Sequence, residues 1–137
     1  MELRQPHKPY HTDHIIVYSC QYHVIFCPKY RRKVLSGAVA ERLKALILEK
    51  QAQYGYTVMA QEVMPDHVHL LLDVDPRVGV DSVVAKIKGY TSHELRQEFP
   101  WLKRRLPSLW TRSKFISTVG AVTLEVVQAS IVHQKGV

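Results

Sequence analysis

The run Met64-Pro65-Asp66-His67-Val68-His69-Leu70-Leu71-Leu72-Asp73 constrains the fold more than any other part of the chain. Pro65-Asp66 reads as a turn, and the apolar residues that follow read as a strand from His67 to Val74. Tyr56 to Val63 alternates loosely as the strand before it. Only Met64-Pro65-Asp66 separates the two, and so short a connection demands an antiparallel hairpin. Residues i and i+2 of a strand share a face, so His67 and His69 project side by side with Val68 buried opposite. Two imidazoles so placed are half of a metal site. His-x-His alone leaves a second reading open, in which both histidines simply face solvent.

The remaining elements follow from periodicity and punctuation. Alternation of Ile15, Val17, Tyr22, Val24 and Phe26 predicts a first strand from about His14 to Phe26, ended by Cys27-Pro28. Ser36 is a fair N-cap for a helix to about Gln53, with Val39, Leu43, Leu46 and Ile47 as its buried stripe and Gly55 as its stop. Asp81 caps a second helix, with Val84, Ile87 and Leu95 inward and Lys86, Lys88 and Arg96 outward. Pro100 stops it, and Trp101 to Leu109 reads as an irregular basic connection. A fourth strand spans Lys114 to Val119. Leu124, Val127 and Ile131 mark a last short helix from about Thr123 to Gly136. The order β-α-β-β-α-β-α predicts an α+β, ferredoxin-like (RRM-like) fold, an antiparallel sheet with packed helices.

With 137 residues the chain is read as a flexible N-terminal arm, residues 1–13, and a single domain, residues 14–137. No stretch is long and apolar enough to cross a membrane, and the N-terminus lacks the apolar run of a secretory signal. Cys20 and Cys27, seven apart in one expected strand, point to opposite faces and cannot bridge each other. Reduced thiols suit a cytoplasmic protein. Against 12 Asp+Glu stand 19 Lys+Arg, a net charge of +7. A small basic domain of this kind most often meets nucleic acid. Lys29, Arg31, Arg32, Lys33, Lys86, Lys88, Arg104, Arg105 and Arg112 are the candidate DNA contacts. Tyr30 and Trp110 are candidates to stack on unpaired bases, or to pack internally.

On the last helix Ser130 and Gln134 lie four residues apart and share a face. If that helix docks beside the histidine strand, Gln134 can offer its carbonyl oxygen to a metal held by His67 and His69. Mixed imidazole and oxygen ligands suit Mn2+, and Mg2+ more weakly. Glu62 and Asp66 are further possible ligands, although Asp66 also serves to shape the turn.

His67-Val68-His69 after Met64-Pro65-Asp66 resembles the histidine-hydrophobe-histidine (HUH) motif of the single-tyrosine transposases of the insertion sequence 200/605 type (transposase A). Tyr22-His23-Val24-Ile25-Phe26-Cys27-Pro28-Lys29-Tyr30-Arg31, Leu109-Trp110 with Phe115 to Gly120, and the final helix are similar to that family too. The resemblance spans Tyr18 to Lys135 in the family's order and spacing. It implies a bacterial or archaeal DNA transposase that acts as a homodimer on single-stranded DNA with subterminal hairpins. It also implies a divalent ion, Mg2+ or Mn2+, held by His67, His69 and Gln134, and a helix tyrosine that attacks the phosphodiester. Ser130 occupies the tyrosine's position. A phenol ionises near pKa ~10, far more readily than an aliphatic alcohol, and leaves more easily when the covalent link is reversed. A serine hydroxyl is also several ångströms short of the tyrosine's reach. Strand cleavage is therefore expected to be absent or severely weakened. The alternatives are a non-catalytic nucleic-acid-binding protein descended from such a transposase, and an unrelated domain with a structural metal.

Overall fold

The computed structural model describes residues 11–12, 17–119 and 131–132. The main sheet is built from β3 (Gln21–Phe26), β4 (Tyr56–Met64), β5 (His67–Val74) and β6 (Phe115–Thr118), after a small antiparallel pair of β1 (His11–Thr12) and β2 (Val17–Tyr18). Its order is β4-β5-β3-β6, with every neighbouring pair antiparallel. The helices are α1 (Gly37–Glu49), α2 (Gln51–Tyr54), α3 (Val80–Glu98) and α4 (Pro100–Arg105). Read as β3-α1-β4-β5-α3-β6, this is the expected ferredoxin-like arrangement.

The sheet has two faces of different character. Val24 and Phe26 of β3 and Val68, Leu70, Leu72 and Val74 of β5 face the helices. There they join Val39, Leu43, Leu46 and Ile47 of α1 and Val83, Val84, Ile87 and Leu95 of α3 in one core. Each such side chain, fully buried, contributes about 1.5–3 kcal/mol. The cross-strand partners on the other face are Gln21, His23 and Ile25 of β3 and His69, Leu71 and Asp73 of β5. Ile131, in helical backbone with Val132, packs there against Ile25, Cys27 and Phe115. Ile131 thus touches the face that bears the histidines.

A bulge in β4 decides what shares that face. Val58 pairs with Leu72, but Ala60 pairs with Leu71, so one residue, Met59, is extra. Before the bulge the even-numbered Tyr56 and Val58 lie on the core side. After it the odd-numbered Gln61 and Val63 do, opposite Leu70 and Val68, while Glu62 and Met64 lie opposite His69 and His67. The switch of parity is why the sequence alternates only loosely here.

Several boundaries differ from expectation. The first strand is not continuous from His14 to Phe26: the ladder breaks at Ser19-Cys20, where the Cys20 amide donates to Oδ1 of Asp73 at 3.1 Å. A side-chain acceptor takes the place of a ladder partner. Consequently Cys20 and Cys27 flank β3 rather than sit within it, and both are free thiols. The helix expected to Gln53 is split at Lys50 (φ −102°, ψ 10°), and α2 ends at Gly55. Gly55 is left-handed (φ +82°) and a Cβ there would lie 3.0 Å from Val78, so glycine is required twice over. α3 starts one residue ahead of Asp81, whose carboxylate instead meets Lys114 at 2.7 Å. Pro100 ends α3 but opens α4, where an irregular connection was expected, because proline is pre-set for the first helical position. His11–Thr12, assigned to the arm, is paired in β1. Most of the arm and of the last helix lies outside the described residues.

Candidate functional site

His67 and His69 stand on the face of β5 away from the α1–α3 core, and the buried Val68 between them points into that core. Their surroundings differ. Nδ1 of His67 lies 2.9 Å from Oδ1 of Asp66, whose Oδ2 accepts a hydrogen bond from Nε of Arg31 at 2.7 Å. Burial disfavours the Asp66 carboxylate, but the hydrogen bonds from His67 and Arg31 outweigh it and hold its pKa below the ordinary value. Nε2 of His69 lies 3.3 Å from Nδ1 of His23 on β3, with ring centroids 5.4 Å apart. Burial, and then the neighbouring His23, lower the His69 pKa to about 4. Burial lowers that of His23 as well.

A neutral imidazole with an available lone pair is what a divalent ion requires. Burial therefore keeps His69 neutral at neutral pH, with its Nε2 in contact with Nδ1 of His23. Glu62 lies directly across from His69 on the same face and adds a carboxylate to the neighbourhood. Among the described residues no group of three His, Cys, Asp or Glu side chains closes a coordination sphere. What the described chain offers is a half-site of two imidazoles with oxygen donors close by. That donor set fits Mn2+ or Mg2+, whose remaining positions are met by water and oxygen ligands. Gln134 and Ser130 lie outside the described residues.

The basic candidates fall into two groups. Arg32, Lys33, Lys86, Arg104, Arg105 and Arg112 are exposed. Arg31 and Lys88 have internal partners. The Arg31 guanidinium binds Asp66, and the Lys88 ammonium donates to the carbonyls of Thr111 at 2.7 Å and Ser113 at 3.2 Å. Burial lowers the Lys88 pKa to about 8. The two aromatic candidates separate as clearly. Trp110 is buried, edge-on to Phe26 at 4.7 Å, with its indole N–H donating to Thr91. It packs the core. Tyr30 is 53% exposed, with the Lys29 ammonium 5.4 Å from its ring centroid.

Tyr30 and Arg31 are consecutive non-glycine residues in left-handed backbone (φ 59° and 52°). Such a conformation costs roughly 1–2 kcal/mol per residue. In this turn the Tyr30 ring is exposed and the Arg31 guanidinium meets Asp66. Sequence reasoning singled out both residues but not their division of labour, and it passed over His23. The signal for His23 was present: with Tyr22, Val24 and Phe26 on one face of the strand, His23 must lie on the other.

Residues 16–134 match the family described as "Transposase IS200 like". The chain is 41% identical over 120 residues to the ISDra2 transposase TnpA of Deinococcus radiodurans, covering 86% of each. It is 34% identical to the transposase for insertion sequence element IS200 of Salmonella typhimurium, covering 85% of this chain and 78% of that one. Among solved structures, a candidate transposase from Deinococcus radiodurans superposes with a TM-score of 0.83 at 34% identity, covering 93% of this chain and 99% of that one. A REP-associated tyrosine transposase bound to a REP hairpin shares the fold, with a TM-score of 0.56 at 15% identity, covering 81% of this chain and 62% of that one.

Proposed function

Since the chain belongs to the IS200-like transposase family, we propose that it binds single-stranded DNA hairpins at the ends of a small insertion sequence and carries a divalent metal site for strand cleavage and rejoining. The observation that carries this reading is the pair His67 and His69 on one sheet face, one hydrogen-bonded to a carboxylate and the other half-buried against His23 with its pKa lowered. Gln134 is assigned as the third ligand, and the working form as a homodimer. A bound Mg2+ or Mn2+ would supply Lewis-acid polarisation of the scissile phosphodiester. His67 and His69 would hold that ion. The exposed cations Arg32, Lys33, Lys86, Arg104, Arg105 and Arg112, with Lys29, hold the phosphate backbone, and Tyr30 offers a stacking surface for an unpaired base.

Ser130 sets the limit on chemistry. It stands where the family's nucleophilic tyrosine is expected, and an aliphatic alcohol is both a poorer nucleophile at neutral pH and a poorer leaving group than a phenol. Strand cleavage is accordingly absent or severely weakened. The same residue favours the second reading, a DNA- or RNA-binding protein that keeps the scaffold and has lost strand transfer.

The test compares the unaltered protein with Ser130→Tyr on labelled single-stranded hairpin DNA bearing the candidate element end, with Mn2+. A covalent protein–DNA band on a denaturing gel from the tyrosine variant alone is the expected result. A band from the unaltered protein would overturn the assignment of the nucleophile. Hairpin binding without a band from either protein would favour the binding-protein reading.

A further inference from the structure

His67 is held by more than its strand. Asp66 occupies the turn that opens β5, and its two oxygens are divided between two partners. Oδ1 faces Nδ1 of His67 at 2.9 Å, and Oδ2 accepts from Nε of Arg31 at 2.7 Å. All three side chains are largely sheltered, with 16% of Asp66, 17% of His67 and 25% of Arg31 exposed. Arg31 comes from the turn that follows β3, where its backbone is left-handed. The contact spans 35 residues of sequence, so it is tertiary and not a by-product of the local turn.

An ionised carboxylate only accepts hydrogen bonds. Its partner atom on a neutral imidazole must therefore carry the proton, which leaves the other ring nitrogen with a bare lone pair. We propose that Arg31 and Asp66 are a positioning pair that fixes His67 in its Nδ1–H tautomer and leaves Nε2 as the atom that ligates a divalent cation. Asp66 orients the ring and raises the electron density at Nε2. Arg31 compensates the carboxylate's charge and keeps it from swinging toward solvent. This inference rests on the metal reading above, and assigns Asp66 an outer role rather than a place among the ligands.

The test has two readouts on the same protein. In metal-free protein at about pH 8, long-range 1H–15N correlation of the His67 ring should show a protonated Nδ1 and a bare Nε2. Mn2+ affinity, followed by loss of the free-ion EPR signal, is measured in parallel. Asp66→Ala should lose the tautomer preference and bind Mn2+ about 10–100-fold more weakly. Asp66→Asn retains a carbonyl acceptor and should keep the tautomer and most of the affinity, and the His67 ring spectrum, which a purely turn-shaping role would not set, separates the two roles. A protonated Nε2 in the unaltered protein overturns the proposal even if Asp66→Ala cannot be folded. So does an Asp66→Ala protein with an unchanged ring spectrum. If the unaltered protein binds no Mn2+, the metal reading fails along with the ligand half of this inference, whereas the ring spectrum still decides the positioning half.

Discussion

Nε2 of His69 stands 3.3 Å from Nδ1 of His23 across neighbouring strands, close enough for one proton to be shared and too close for both rings to carry a charge comfortably. The two imidazoles are thus coupled. Protonating one opposes protonating the other, on top of the burial that already disfavours both charged forms.

That coupling has a pH signature in the metal-free protein. The folded-state value of His69 is about 4, against 6.5 for the unperturbed group. Between those values the unfolded chain takes up a proton that the folded chain does not. The stabilising contribution is fully present above pH 6.5 and is lost as pH falls toward 4. In chelator-treated protein the melting temperature should fall by several degrees across this window. His69→Gln should flatten that slope; an unchanged slope would show that the pair does not govern it.

Metal addition and removal separate a functional site from a structural one. At about 100 times its dissociation constant, Mn2+ should raise the unfolding free energy by about 2.7 kcal/mol. His67→Ala and His69→Ala should abolish the increment. Chelation should return the protein to its metal-free stability without unfolding it, since the core lies on the other sheet face. Unfolding by chelator alone would favour a structural metal.

Tyr30→Gly separates stacking from backbone strain. Glycine adopts φ near +59° freely, so folding stability should hold or rise by up to ~1 kcal/mol. Affinity for single-stranded DNA should fall by ~1–3 kcal/mol with the lost ring. Differential scanning fluorimetry and fluorescence anisotropy read the two effects independently. Undiminished affinity would remove Tyr30 from the interface.

The two groups of cations should behave oppositely. Lys88→Met removes the donor that serves two backbone carbonyls and should destabilise the fold by ~1–3 kcal/mol, leaving the salt dependence of DNA binding intact. Arg104→Ala, Arg105→Ala or Arg112→Ala should barely alter stability and should reduce the logarithmic salt slope by about one each, where that residue meets a phosphate. Titrations at several salt concentrations distinguish the two patterns.

The parts of this molecule that were legible in the sequence are those governed by local periodicity. Val39, Leu43, Leu46 and Ile47 form the α1 stripe as spaced, the β4–β5 hairpin follows from its short turn, and His67 and His69 share a face because the strand repeats every second residue. The residues that were not legible depend on distant partners. Asp73, 53 residues away, captures the Cys20 amide, while the Cys20 carbonyl still accepts from the Val74 amide. Arg31 reads as one more basic residue until the fold brings it to Asp66, and Lys88 reads as solvent-facing until the 111–113 carbonyls arrive beneath it. Pro100 reads as a stop, yet the residue that ends one helix begins the next.

The extra residue at Met59 makes the length of β4 as informative as its composition. Deleting Met59 would restore unbroken alternation without turning a side chain over, since Ala60 already follows Val58 in register, Glu62 would still lie opposite His69, and Gln61 and Val63 opposite Leu70 and Val68. Among relatives of this chain, a strand one residue shorter at the bulge should therefore keep the same residues on the same faces. An aligned glutamate there is comparable between two proteins when both keep the same number of residues between it and the turn, whether or not the bulge is present.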